Sequence, residues 1–294
     1  MKYVSLILFP CFFFIQPALA YAQTNPQMQN LRSKFVALKE PLEKNQFKRP
    51  LVLESQEVPS KLKGDIYTVV DYSLKKVSSE LSNADHWCDI LLLHINTKYC
   101  RAKTSPTGTV VVVNVGKKTQ EELKRVAHVD FSYSAVAMTP EYFQIKLRAE
   151  NGPMGTSDYT IVLEGLEIAN GKSFLHLSYS YSMNFAARLA MLAYLKTIAN
   201  DKMGFTVTGT GANGQLRYIG GVRGLIERNT MRYYLAIDSY LRATTAVAET
   251  AQLEYRLNNW FAATEQYPEQ LHEMNKDEYL IMKRAENLRQ QLLR

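Results

Sequence analysis

Residues 109–183 read as successive strands in which apolar and polar side chains alternate, and this pattern restricts the fold more than any other feature of the chain. Val129, Phe131, Tyr133, Ala135 and Ala137 alternate with His128, Asp130, Ser132 and Ser134. After a Thr139-Pro140 turn, Phe143, Ile145 and Leu147 alternate with Gln144, Lys146 and Arg148. Tyr159, Ile161 and Leu163 continue the period, Asn170-Gly171 is a two-residue hairpin signal, and Leu175, Leu177, Tyr179 and Tyr181 return on the same phase. A period of two with one apolar phase demands a sheet with one buried and one wet face. Short turns between consecutive strands make it an antiparallel meander.

Helical periods bracket this sheet. Residues 65–70 alternate as a strand, Ser73 is placed to cap a helix carrying Leu74, Val77, Leu81 and Ala84, and 85–88 closes that helix, with a second short one at 90–93. Strands are expected at 99–102 and 109–115 across a turn at 104–108. After the meander, 185–199 is apolar almost all round, relieved mainly by Arg188 and Lys196, so it is either buried between layers or a surface helix against another apolar phase. A hairpin over 205–210 and 216–219 turns at Asn213-Gly214. Residues 222–244 carry Val222, Ile226, Thr230, Tyr233, Ile237, Tyr240 and Thr244 on one stripe, as expected of a helix lying across a sheet. Two more helices follow: one with Leu253, Leu257, Trp260, Phe261 and Thr264, and one that Asn275 and Glu278 start as a capping box. Lys283, Arg284, Arg289 and Arg294 are expected on a solvated face, as are Arg228 and Arg232 on the long helix.

The N-terminus sets the compartment. Residues 1–22 hold one basic residue, Lys2, then an apolar run interrupted by Pro10, then small-residue sites ending at Ala20 and Ala22, the order of a secretory signal. The run is too short to span a bilayer, and Cys11 lacks the setting of a lipoprotein cleavage site. The expected division is a signal peptide over 1–22, a polar helix and linker over 23–62, the main domain over 63–245 and a helical extension over 246–294. The formal charge of +7 is spread as Glu/Lys/Arg mixtures. Nucleic acid is therefore not an expected partner; an anionic membrane or cell-wall polymer fits the charge, simple solubility fits it better than either, and peripheral contact with a membrane or an envelope protein stays open.

Cys88 and Cys100 are the only cysteines beyond the signal segment, and in an exported chain a pair so close is most simply a disulfide, worth about 3 kcal/mol on the chain-entropy model. Two alternatives are weaker: zinc held by His86, Cys88, His94 and Cys100, whose spacing matches no compact ligand pattern, and a Cys88 nucleophile, for which His86 is poorly placed. His128 and His176 fall on the wet phase of their strands. Residues 220–232 run glycines into a helix start beside arginines, without the Lys-Ser/Thr ending of a phosphate loop or the spacing of a dinucleotide turn. A structural chain reversal suffices there; an anion touched by Arg223 is the functional alternative. No cofactor, metal or catalytic acid/base pair is expected.

Strand, helix ending in an aromatic residue, antiparallel meander and long helix, in that order over residues 64–243, resemble the helix-grip fold of the START-like (SRPBCC) superfamily. That superfamily includes lipid-transfer domains, the birch-pollen allergen type and aromatase/cyclase proteins; residues 77–87 and 227–241 are the most similar in character. The resemblance implies an α+β fold, an antiparallel curved sheet wrapped around a long C-terminal helix, here with extra C-terminal helices. The segment 185–219 departs from the pattern, because the final helix normally follows the last strand directly. The resemblance also implies an apolar cavity walled by Phe131, Tyr133, Phe143, Ile145, Tyr159, Ile161, Leu177 and Tyr179, with Ile226, Tyr233 and Ile237 opposite. The same residues could simply fill a dry core, although several inward tyrosines, each needing a hydroxyl partner, suit a cavity. The expected function is an exported carrier of an apolar small molecule or lipid; the alternative is a non-enzymatic structural or interaction protein of the cell envelope.

Overall fold

The computed structural model describes residues 25–197, 202–212 and 214–293. The expected signal at 1–22, the end of the apolar helix at 198–199, Asn213 and Arg294 lie outside them. Two helices, α1 (Pro26–Ala37) and α2 (Lys39–Glu43), lead into strands β1 (Leu51–Val58) and β2 (Lys61–Val70). The β1 stretch was expected to be linker; it is instead an edge strand paired along its whole length with β2, and its charged residues suit an exposed edge. Ser73 caps α3 (Leu74–Leu81) as expected. The helix break falls at Ser82-Asn83, earlier than expected, because Asn83 caps a separate helix α4 (Ala84–Leu92) through its side chain.

Then come β3 (Thr97–Ser105), β4 (Gly108–Val115), β5 (Ala127–Met138), β6 (Tyr142–Asn151), β7 (Thr156–Ile168) and β8 (Lys172–Met183). The eight antiparallel strands lie in the order β1-β2-β8-β7-β6-β5-β4-β3. Asn170 and Gly171 both take positive φ, 66° and 68°, as the tight β7–β8 hairpin requires. After β8 come α5 (Phe185–Thr197), the hairpin β9 (Val207–Thr210) and β10 (Leu216–Tyr218), and the 26-residue helix α6 (Gly221–Ala246). The chain continues through α7 (Gln252–Thr264), α8 (Pro268–Leu271) and α9 (Lys276–Leu292), the last started by the expected Asn275/Glu278 capping box. A curved antiparallel sheet gripping a long helix is the helix-grip fold. Among the described residues no helix is long and apolar enough to cross a membrane.

The helix α6 packs on β1, β2 and β8. It passes close over Gly64, where any side chain would collide with Thr230. The inward phase of the strands forms the main core with α3, α4, α6, α7 and α9. The outer face is not uniformly wet. Tyr67, Tyr142, Leu166 and Phe174 point outward and bury Leu31, Leu38 and Leu42 of the N-terminal helices in a second core. Ala137 joins that cluster, because a bulge between Ala135 and Ala137 reverses the phase of β5.

His176, expected as a surface or interlayer residue, is nearly buried on this outer face and bonded at both ring nitrogens. Nδ1 lies 2.8 Å from Glu164 Oε1 and Nε2 2.8 Å from Asp65 Oδ1, joining β7, β8 and β2. Its ring stacks on Tyr67 at 4.3 Å. Burial works against the charged imidazolium, but the two carboxylates outweigh it and raise its pKa. Burial likewise pushes Asp65 and Glu164 up, and His176, helped by Lys63 at Asp65 and by Tyr142 and Gln144 at Glu164, more than reverses this, leaving both below the ordinary carboxylate range.

The face of α9 expected to be solvated is also partly buried. Lys283 and Lys98 are fully enclosed with Glu286 between them, at 2.7 and 2.9 Å. Lys283 Nζ also donates to the carbonyls of His94 and Thr97, and Lys98 Nζ to that of Ile95, so this network pins the turn after α4. Burial pushes Lys283 down to about 8 against the pull of Glu286. The turn is closed from the other side by the Cys88–Cys100 disulfide, which joins α4 to β3 with Cα atoms 5.1 Å apart. With both sulfurs in that bond, neither the zinc nor the nucleophile alternative has a thiolate to use.

Glu286→Gln strips the charge that balances two buried lysines and is expected to cost about 3–5 kcal/mol, read by urea unfolding. His176 stabilises fully below its unfolded pKa and loses this as pH rises through its raised folded value, whereas Asp65 and Glu164 lose theirs as pH falls through their lowered values. The stability gap between the parent and His176→Gln is therefore expected to peak between about pH 5 and 6.5 and to shrink at higher pH. A gap that widens from neutral to alkaline pH contradicts this account.

Candidate functional site

Because α6 bears on β1, β2 and β8, space remains between it and the far part of the sheet. The space forms two adjoining chambers. The outer one, about 600 Å³, has a floor of Tyr159, Tyr179, Tyr181 and Met183 and a wall of Leu225, Arg228, Asn229 and Arg232 from α6. The helix α5 closes one side with Ala187, Ala190, Met191, Tyr194 and Leu195, and the Pro153-Met154 turn contributes beside it. The inner chamber, about 150 Å³, lies between Leu91, His94, Val113, Val129, Phe131, Ile161 and Tyr233. Asn96, Pro153, Tyr159, Tyr179 and Asn229 line both and mark where they meet.

Aromatic rings run through the joint. His94 stacks on Tyr233 at 5.0 Å, Tyr233 meets Tyr179 edge-on at 5.0 Å, and Tyr159 stacks on Tyr181 at 5.1 Å. The Tyr159 hydroxyl donates to Thr156 Oγ1 at 2.8 Å. Burial, first among the causes, raises the pKa of Tyr159, Tyr179, Tyr181 and Tyr233, so all four stay neutral and act as rings with polar tips.

Five of the residues expected as cavity wall line these chambers: Phe131, Tyr159, Ile161, Tyr179 and Tyr233. Leu177 and Ile237 border only a void of about 10 Å³ nearer the β2 end. Phe143, Ile145 and Ile226 are fully buried in packed core. Tyr133 points to the helices, its hydroxyl donating to Ser82 O at 2.7 Å at the α3–α4 break, and burial pushes its pKa up to about 12. Arg223, the expected anion contact, faces the other way: Nε donates to Ser55 Oγ at 2.8 Å beside buried Glu227. One helical face carries Arg223 and Glu227 toward β1, and the face with Leu225, Arg228, Asn229 and Arg232 looks into the cavity.

Alternation alone did not find the polar part of the site. Arg228 and Arg232 were expected on an outer face, yet both are buried. Arg232 Nη2 donates to Glu273 Oε1 at 2.7 Å, Lys118 bonds the other oxygen of Glu273, and Lys202 Nζ lies 3.8 Å from it. Burial tends to raise Glu273, but Arg232 and Lys118 outweigh it and hold the carboxyl below its ordinary range. His94 is 5 % exposed, and burial, followed by the charges of Arg232, Lys283 and Lys118, holds its pKa well below 6.5. The ring is neutral. Its Nδ1 accepts from the Asn96 N–H at 3.2 Å, which leaves the proton on Nε2. The four-residue spacing of Arg228 and Arg232 was visible in the sequence; the partners from residues 118, 202 and 273 are brought in only by tertiary structure.

No family model matches the chain, and no curated protein matches it in sequence. Among solved structures it is similar to norcoclaurine synthase from Thalictrum flavum at 11% identity, covering 49% of this chain and 91% of that one with a TM-score of 0.34. The Zhui aromatase/cyclase from Streptomyces sp. R1128 gives 10% identity, coverage of 68% and 94%, and a TM-score of 0.33. A conserved protein of unknown function from Enterococcus faecalis gives 8% identity, coverage of 73% and 91%, and a TM-score of 0.34. Two of these neighbours are enzymes by name. The chain's own strand order and long helix carry the fold assignment.

A bulkier side chain is expected to be tolerated where there is space and resisted where there is none. Met191→Trp, which projects into the outer chamber, should change unfolding free energy by less than about 1 kcal/mol, and Ile145→Trp in the packed core should cost about 1–3 kcal/mol or more. Equal losses in chemical denaturation would mean that the chamber is not usable space.

Proposed function

We propose that the protein binds a hydrophobic small molecule or lipid in the cavity between α6 and the β5–β8 part of the sheet. One observation carries this reading: a chamber of about 600 Å³, walled by tyrosine, methionine, leucine and alanine side chains. That volume falls in the range that encloses small-molecule ligands, and its mixture of apolar lining with a few convergent polar groups is typical of such sites. The competing reading, a structural protein with a filled core, accounts for the β2 end of the sheet and not for this space.

The mode proposed is binding without chemistry. His94, the titratable ring of the inner chamber, is neutral and already accepts a backbone hydrogen bond at Nδ1. Export is part of the proposal. The buried Cys88–Cys100 disulfide suits an oxidising compartment, in keeping with the signal expected at residues 1–22. A carrier role in the envelope follows from combining the two.

The test is native mass spectrometry of the full chain expressed with export, together with titration of Nile red, a neutral apolar dye. A co-purifying adduct of defined mass that denaturation releases, or saturable dye binding weakened by Met191→Trp, is the expected result. An adduct-free protein that does not bind the dye overturns the reading.

A further inference from the structure

On the wall of the outer chamber, positive charge exceeds negative. Arg232, Lys118 and Lys202 share the single carboxylate of Glu273, and Lys117 and Arg228 line the same chamber. Cations in a partly desolvated wall hold an anion more strongly than the same cations in water. Two buried donors are also unused. Arg232, 3 % exposed, has no partner at Nε, and His94, 5 % exposed, has none at Nε2, among the described residues. Arg232 lines the outer chamber and His94 the inner one, and Asn96 and Asn229, which line both, bond to His94 and Arg232 respectively. A buried donor left without an acceptor is costly, so such a pair in a cavity wall marks a place built for an acceptor that arrives from outside.

We infer that the ligand is an amphiphilic anion whose oxyanion head, a carboxylate or a phosphate, sits at Arg232, Lys118 and His94 while its apolar body lies along the tyrosine floor and α5. This rests on the binding reading above and specifies the chemistry of its ligand. The head accepts from Arg232 Nε and His94 Nε2–H and is attracted by Lys118. His94 contributes a neutral donor, because its Nδ1 is committed to the Asn96 N–H. Met183, Met191, Leu195 and Tyr179 supply the apolar contact. Glu273 holds the cations in place but competes with the ligand for them.

Three probes with the same ten-carbon chain separate head from body: decanoate, decyl phosphate and 1-decanol, each titrated into the full chain by calorimetry. At least one of the two anions is expected to bind tenfold or more tightly than the alcohol, and which one leads tells carboxylate from phosphate. Lys118→Gln, at a partly exposed position, should reduce that preference at least threefold, and Lys202→Gln provides a second variant of the same sign. Equal affinity for all three probes, or a preference that survives both variants, overturns the inference and leaves the binding reading standing. If none of the three binds while Nile red does, the inference alone fails; if Nile red fails as well, the binding reading falls with it.

Discussion

A single helix cannot cover an eight-stranded curved sheet, and most of this molecule is arranged around that mismatch. The contact at Gly64 and Thr230 commits α6 to the β1–β2–β8 end. Close packing there fixes the helix axis, and toward β5 and the far end of β7 the helix leaves the space of the two chambers. The remaining elements occupy that gap without filling it. The turn after α4 enters from one end, α5 comes down on one side, and α7 to α9 buttress the outer face of α6 through Trp260, whose indole donates to Arg232 O at 3.2 Å.

Charged groups do much of the positioning. Glu227 accepts from Ser55, Phe205 N and the Thr206 amide and hydroxyl, tying the segment after α5 to α6 and β1. The Lys98–Glu286–Lys283 group ties α9 to the turn that bears His94. Buried charges are poor sources of net stability, since desolvation offsets much of their attraction. Their directional hydrogen bonds nevertheless specify one arrangement, and here each joins elements far apart in sequence.

The sheet, the hairpin at Asn170-Gly171, the long helix and the final capping box were legible in the sequence because each depends on local period or turn chemistry. The disulfide followed from the cysteine count and the expected compartment. The second core was not found, although Phe174 and Leu166 already broke the alternation as apolar residues on the polar phase. The site was half legible. Its inward tyrosines obey the two-residue period, but alternation does not distinguish Ile145 in packed core from Ile161 beside a void, because both simply face inward. The cation cluster was invisible for a different reason: Lys118, Lys202, Arg232 and Glu273 come from four separate segments and share no spacing.

The turn bearing His94 and Asn96 belongs to the inner wall, and it is held by two fastenings that neither residue supplies. One is the covalent link between α4 and β3; the other is a helix some 190 positions further along the chain, for Lys283 lies 189 residues from the His94 carbonyl it holds. The inner wall therefore depends on a covalent bond and on the far end of the chain at once: the same turn is held by the Cys88–Cys100 link on one side and by α9 on the other.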